Sequence, residues 1–295
     1  MKNEKILICV GTDDKFVMPI AEHLGIDNEV QMFRGGTVQE LFELMKWCDV
    51  AWFEWCNDMI IQASLLPKVC KMVCRLHRYE VYSDMPNKVQ WDYVDNLILV
   101  SDSMLELVKA RFPNISCEIN VIGNPLHIPE VDNHPKSNTD IAYVGYLNSR
   151  KNIGLALQIM SALPKCYTLH VAGSWQDPML LDYTEYMIKE MDLNVSFYGF
   201  LDNISGFLED KGVLLSTSQH ESFGYHIFEA MARNIKPVVH NFLGAKQLYP
   251  EHCLYNTVAE AVDKITATDD YDYRLHVEGN DQAKIMKNIE EILCE

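Results

Sequence analysis

The sequence predicts two doubly wound α/β domains in tandem, on three observations. Short β-rich apolar runs alternate with amphipathic helical patterns from end to end. The strands are nearly all apolar, as in parallel sheets covered by helices on both faces. One polar, proline- and asparagine-rich stretch interrupts the series near the middle of the 295 residues, a length that suits two ordinary domains.

In the first half, KILICVG (5–11) reads as a buried strand and FVMPIAEHL as a helix closed near Gly25. EVQMF is a strand, followed by Gly35, Gly36 and the helical TVQELFELMKW; VAWFEW, KMVCRL, NLILV and INVI continue the strands, with helices over Asp58–Val69 and Ser103–Phe112. After Gly123-Asn124-Pro125, the segment HIPEVDNHPKSNTD has neither helical nor strand period and reads as a linker. The alternation then restarts: DIAYVG, a helix over Asn152–Leu163, YTLHVAG, a helix through Leu180–Met191, VSFYG, GVLLS, the helix FGYHIFEAMAR and the strand KPVVH. EAVDKI and KIMKNIEEIL read as helices. The expected domains are 1–125, a linker at 126–139, 140–275, and a terminal helix at 276–295 packing back toward the first domain. Ligands of such sheets bind beyond the carboxyl ends of the strands, so a central cleft faced by both domains is the expected site.

With 25 basic and 42 acidic side chains the net charge is −17, while 48% hydrophobic and 23% charged residues make a globular composition. Such a chain repels nucleic-acid phosphates, which argues against nucleic-acid partners but leaves room for a small anionic ligand in a local basic pocket. The N-terminal MKNEKILICVGTDDK lacks the pattern of a secretory signal, and the apolar stretches fall far short of the roughly 18 residues that span a bilayer. Helix 102–112 carries only Lys109 and Arg111 beside its apolar face, little basis for peripheral membrane contact. Nine scattered cysteines read as free thiols of a cytoplasmic protein; Cys70 and Cys74 form C-x3-C without zinc partners. Asp270-Tyr271-Asp272 has the form of a metal-binding D-x-D but reads as a solvated acidic loop.

The chemistry concentrates in GVLLSTSQHESFGYHIFEAMARNIKPVVH (212–240). An apolar strand ends in hydroxyl-rich STSQH, then Glu221-Ser222-Phe223-Gly224 enters a helix carrying Glu229. Eight positions separate the two glutamates, about 12 Å of rise and about 80° of rotation if fully helical. They are too far apart to act on one bond as a glycosidase pair, and they suit the two ends of an extended polar ligand. Gly224 removes a side chain where N–H groups of Phe223, Gly224 and Tyr225 can approach an anion. The same residues also fit a plain N-cap and a packing glycine. His226 reads as an ordinary partly buried histidine. Gly145 opens a loop that ends in Arg150-Lys151 at a helix N-terminus, where cations oppose the helix dipole. Either an anion sits between them or they are surface basics in a turn.

The stretches VGYLNSRKN, SFYGF and STSQHESFGYHIFEAMARNIKPVV, in this order over roughly 140–250, resemble the donor-binding domain of the family 4 retaining glycosyltransferases of the GT-B fold. RLHRYEVY, LILVSDSM and VIGNPLH resemble that family's first-domain landmarks more loosely. The resemblance implies a glycosyltransferase of enzyme class 2.4 that needs no metal and no cofactor. It would move a sugar with retention from a UDP- or GDP-sugar to a hydroxyl of an unidentified glycan, lipid or small molecule. Glu229 would then take the ribose hydroxyls and Glu221 the donor sugar, with Ser222, Phe223, Gly224 and Tyr225 giving backbone N–H groups to sugar and diphosphate. Lys151, aided by Arg150, would neutralise the leaving diphosphate, Tyr198, Gly199 and Phe200 would flank the base, and Gly11 and Gly145 would belong to the donor-binding site. His77, at the carboxyl end of KMVCRL, would face the reacting sugar, with Arg75, Arg78 and Glu80 lining the acceptor side. Departures are Tyr146 for the family's arginine, Asn234 for its glycine, and GTDDK for its first Gly-Gly loop. Tyr146 and the short first domain favour one alternative, a non-catalytic sugar-nucleotide-binding protein, and a GT-B phosphorylase or epimerase is the other. No phosphate-loop or dinucleotide fingerprint is present.

Overall fold

The computed structural model describes residues 3–129, 134–268 and 270–294. Residues 130–133 of the expected linker and Asp269 beside the D-x-D lie outside the described residues. The chain forms two compact units, Met1–Pro125 with Gln282–Glu295, and Leu126–Asp281.

Unit 1 carries strands β1 (Lys5–Cys9), β2 (Glu29–Phe33), β3 (Val50–Glu54), β4 (Lys71–Leu76), β5 (Asn96–Leu99) and β6 (Glu118–Val121). All pair in parallel, in the order β2-β1-β3-β4-β5-β6. Helices α1 (Met18–Leu24), α2 (Val38–Trp47), α3 (Asp58–Ser64), α4 (Arg78–Val81) and α5 (Asp102–Arg111) connect them. Thr37 starts α2 with a reciprocal capping box to Glu40. The helix expected over Asp58–Val69 stops at Ser64, because Pro67 has no N–H to donate and biases Leu66 away from the helical region. The C-terminal helix, Gln282–Cys294, sets Ile285, Met286, Ile289, Ile292 and Leu293 into the core formed by Ile6, Ile8, Ile20, Leu24 and Trp52. Their spacing is the apolar stripe of an amphipathic helix, and burial of each such side chain contributes about 1.5–3 kcal/mol.

Unit 2 begins within the segment read as linker. Leu126 N–H bonds the carbonyl of Asn280 at 2.9 Å, and β7 (Ser137–Val144) starts three residues earlier than expected. There follow α6 (Ile153–Ala162), β8 (Thr168–Ala172), α7 (Pro178–Glu190), β9 (Val195–Gly199), α8 (Ile204–Leu208) and β10 (Lys211–Ser216). Next come α9 (Tyr225–Ala232), β11 (Lys236–His240), α10 (Ala245–Leu248), β12 (Leu254–Tyr255), α11 (Val258–Thr266) and α12 (Arg274–Val277). The parallel order is β12-β11-β10-β7-β8-β9. The chain therefore runs outward from β7 through β8 and β9, then returns to the other side of β7 as β10. Connections leaving β7 and β10 diverge to opposite faces, which opens a crevice at their carboxyl ends.

Asn234, in place of a glycine, sits at φ +54°, and its side chain accepts the Tyr273 N–H at 2.9 Å. Asparagine is among the few non-glycine residues that adopt this region readily. No described helix is long and apolar enough to cross a membrane.

Candidate active site

The crevice between β7 and β10 is built from two loops, 145–152 and 217–224. Buried Thr217 and Tyr143 tie them together: both hydroxyls donate to the Lys151 carbonyl, at 2.7 and 2.6 Å. Gln219 N–H adds a bond to the Arg150 carbonyl at 2.9 Å. Gly145 stands at φ +137°, and a β carbon there would lie 2.5 Å from Lys151 Cε. The backbone turn calls for glycine, and a side chain there would also displace the lysine stem that crosses it.

The two loops bring Arg150, Lys151 and Glu221 together. Glu221 Oε1 accepts from Arg150 Nη1 at 2.6 Å, Lys151 Nζ at 2.9 Å and Ser218 Oγ at 2.8 Å. Arg150 Nη1 also donates to the His220 carbonyl at 3.1 Å. Lys151 is 5% exposed and Glu221 9%. Burial alone would raise the Glu221 carboxyl, but the neighbouring cations, Lys151 foremost, outweigh it and hold the group below the ordinary carboxylate range. The expected anion between Arg150 and Lys151 is, in the free protein, the carboxylate of Glu221 itself.

Gly224 adopts φ +79° as the N-cap of α9, and a β carbon there would collide with the hydroxyl of Tyr249. That hydroxyl donates to the Phe223 carbonyl at 2.8 Å and fixes the turn. Helix α9 starts at Tyr225, so Glu221 lies in the preceding loop and the fully helical spacing from Glu221 to Glu229 does not apply. Phe223 is a core residue, stacked on Phe228 at 4.2 Å, so only its backbone can serve a ligand. Ser222 and Tyr225 are half-buried beside it. Glu229 is half-buried on α9, and burial, opposed by Arg233, pushes its carboxyl up to about 7.

Tyr198 does not present its hydroxyl at the strand ends: it bonds His170 Nδ1 at 2.9 Å, with the ring against Phe207. The alternation of side chains along β9 turns it to that face. Gly199, at φ +68°, and exposed Phe200 do end the strand.

In unit 1, Gly11 follows β1 with open space where a β carbon would be, and its carbonyl accepts from Arg34 at 3.5 Å. His77 follows β4 and is 6% exposed. Its Nε2 meets Glu54 Oε1 at 2.6 Å, and its ring packs on Phe16 at 5.4 Å and Trp55 at 4.3 Å. Burial outweighs Glu54 and lowers the imidazole. Glu54, wholly buried, also accepts from Trp52 Nε1 at 2.8 Å and Arg75 Nη1 at 3.3 Å. Arg75 and Glu80 do not line a surface as expected. Both are 1% exposed: Arg75 is spent on Glu54 and Asn124, and Glu80 accepts the Cys56 N–H at 3.0 Å while burial pushes its carboxyl up to about 7. Sequence reasoning missed Glu54, Tyr143, Thr217 and Ser218. Only Ser218 and Thr217 left a trace, in the hydroxyl-rich STSQH.

Asp270 and Asp272 are exposed, and no group of three or more His, Cys, Asp or Glu side chains able to hold a metal occurs among the described residues.

Residues 127–253, which contain both site loops, match the family model described as Glycosyl transferases group 1. The matched residues all lie within unit 2. The fold of the whole chain is similar to that of HepE from Anabaena, solved with UDP and glucose, at a TM-score of 0.81 and 16% identity over 99% of this chain and 100% of that one. It is also similar to the lipopolysaccharide outer core galactosyltransferase WaaB, at a TM-score of 0.77 and 14% identity over 100% and 99% of the two chains. A third similar structure is S. aureus TarM, solved with fondaparinux, alpha-GlcNAc-glycerol and UDP. Its TM-score is 0.72 at 16% identity, over 88% of this chain and 58% of that one. No curated protein matches the chain by sequence. The two parallel doubly wound sheets are those of the GT-B fold.

Proposed function

We propose that the protein is a retaining glycosyltransferase that takes a sugar from a UDP- or GDP-sugar and transfers it to an acceptor hydroxyl. The observation that carries this reading is the Arg150–Lys151–Glu221 cluster at the carboxyl ends of β7 and β10. In the reaction the bond from the anomeric carbon to the diphosphate breaks as a bond to the acceptor oxygen forms on the same face. The acceptor proton passes to the departing phosphate oxygen. Arg150 and Lys151 neutralise charge as it gathers on the leaving diphosphate, and such preorganised electrostatic stabilisation is usually the largest single contribution to rate. Glu221 turns to the sugar hydroxyls, Glu229 accepts from the ribose, and the N–H groups at 222–225 hold sugar and phosphate. In unit 1, His77 is the further catalytic candidate, its Nε2 held by Glu54 at 2.6 Å.

Because two cations of the chain serve the diphosphate, the proposed reaction needs no divalent metal, and EDTA leaves the rate unchanged. Nine free thiols fit a reducing compartment, so we assign the reaction to the cytoplasm.

A thermal-shift screen of UDP-, GDP- and ADP-sugars, followed by a sugar-release assay on the best binder, tests the reading. Turnover that disappears in Glu221→Ala and Lys151→Ala supports it. Binding without turnover identifies a sugar-nucleotide-binding protein instead, and absence of binding to every donor rejects both.

A further inference from the structure

Lysine carries its charge on a flexible four-carbon stem, so a lysine that must meet a phosphate oxygen gains from being held before the ligand arrives. The Lys151 stem lies against the bare Cα of Gly145. Its ammonium stands between Glu221 Oε1 at 2.9 Å and His226 Nε2 at 3.4 Å. Glu221 is a temporary partner under the proposed function, because its carboxylate leaves for the sugar hydroxyls when the donor binds. His226, in the first turn of α9, is the partner that stays.

We propose that His226 is a positioning residue, its imidazole accepting a hydrogen bond from the Lys151 ammonium and holding it on the diphosphate while Glu221 engages the sugar. This rests on the nucleotide-sugar reading of the site. The role requires a neutral ring with its proton on Nδ1, since an imidazolium would repel Lys151. Burial, reinforced by the Lys151 cation, pushes the imidazole down to about 3, so the ring is neutral at physiological pH. At 8% exposure an apolar side chain would fill the position as well as histidine does, so filling space alone does not call for an imidazole here. What an apolar residue cannot offer is an acceptor facing the ammonium. The 3.4 Å separation is at the long end of hydrogen bonding, as is common for site contacts that tighten when the ligand arrives.

The test is calorimetric titration of UDP, GDP and ADP into wild type, His226→Leu and His226→Gln, each also made in a Lys151→Ala background. His226→Leu is expected to weaken the tightest-binding nucleotide roughly tenfold, the scale of a lost hydrogen bond to a charged group. His226→Gln, whose amide oxygen reaches to about the position of Nε2, is expected to recover most of that loss. In the Lys151→Ala background neither change has a further effect. Equal affinity of wild type and His226→Leu overturns the proposal and leaves the nucleotide-sugar reading standing. A loss in His226→Leu that persists undiminished without Lys151 also overturns it. If wild type binds none of the three nucleotides, the reading itself fails and the proposal with it. Should thermal melting show that His226→Leu does not fold, His226→Met removes the acceptor on an unbranched chain and takes its place.

Discussion

Glutamine at position 221 removes one negative charge from between two cations and keeps the shape of the side chain. In the free protein Glu221 Oε1 takes bonds from Arg150 at 2.6 Å, Ser218 at 2.8 Å and Lys151 at 2.9 Å. Removing one partner of a buried ion pair costs about 3–5 kcal/mol, because the other charge is left uncompensated. That cost applies to Lys151, whose side chain is 6% exposed, more than to Arg150, whose side chain is 25% exposed and can turn to water. The amide oxygen and His226 still accept from the ammonium, so Glu221→Gln is expected to lose about 2–3 kcal/mol. For a unit of this size the melting temperature then falls by about 4–12 °C. Nucleotide binding moves the other way. The diphosphate of UDP no longer meets a carboxylate already on its cations, and removal of that like charge strengthens UDP binding by roughly tenfold, about 1.4 kcal/mol. Sugar transfer falls in the same variant, because the sugar hydroxyls exchange a charged carboxylate acceptor for a weaker neutral amide. Melting curves with and without UDP measure both effects. A variant that melts with wild type and binds UDP more weakly refutes the assignment of Glu221 as the counter-charge of this site.

Further expectations concern both units. Gly224→Ala forces alanine to φ +79° and against the Tyr249 hydroxyl. The backbone costs about 1–2 kcal/mol and the crowding a similar amount, so urea unfolding should show a loss of about 2–4 kcal/mol; a loss below about 0.5 kcal/mol contradicts the geometry. Glu54→Gln leaves Arg75, 1% exposed, without its carboxylate, and should destabilise unit 1 by about 3–5 kcal/mol in the same measurement. A neutral result there would mean that Glu54 is not the counter-ion. Burial pushes the Glu229 carboxyl up to about 7, and its ionised form accepts from the ribose hydroxyls more strongly than the neutral acid. UDP affinity should therefore fall as pH drops below about 7, by up to about tenfold per unit. Glu229→Gln should flatten that profile, and a wild-type profile that is flat from pH 5.5 to 8 assigns the ribose to another group.

The fold was legible where local signals and tertiary burial agree. KILIC, VAWFE and NLIL are buried on most positions because parallel strands covered on both faces have no wet side. Helices such as α2 and α11 carry their own start signals, Thr37 with Glu40 and Thr257 with Glu260. The short elements α8, α10, α12 and β12 span too few residues for a period to be read. In the site, Arg150, Lys151 and Glu221 could each be named from sequence, but not their contact. They lie some 70 positions apart and meet only because β10 returns beside β7. Spacing along a supposed helix misplaced Glu221, since α9 begins only after the left-handed Gly224. Glu54 was hidden for a different reason. It ends β3 inside the apolar run VAWFEW, and the turn that follows depends on Trp55 at φ +82°, a conformation no pattern of residue types announces.

Hydrogen–deuterium exchange of the wild-type protein, with and without UDP, GDP and their sugars, tests most directly whether the two loops after β7 and β10 form the diphosphate site. The account predicts that the tightest-binding nucleotide slows exchange of the amides at 145–152 and 221–226, and that Lys151→Ala weakens this protection. A nucleotide that binds while these amides exchange at the rate of the free protein would place the site elsewhere and contradict the assignment.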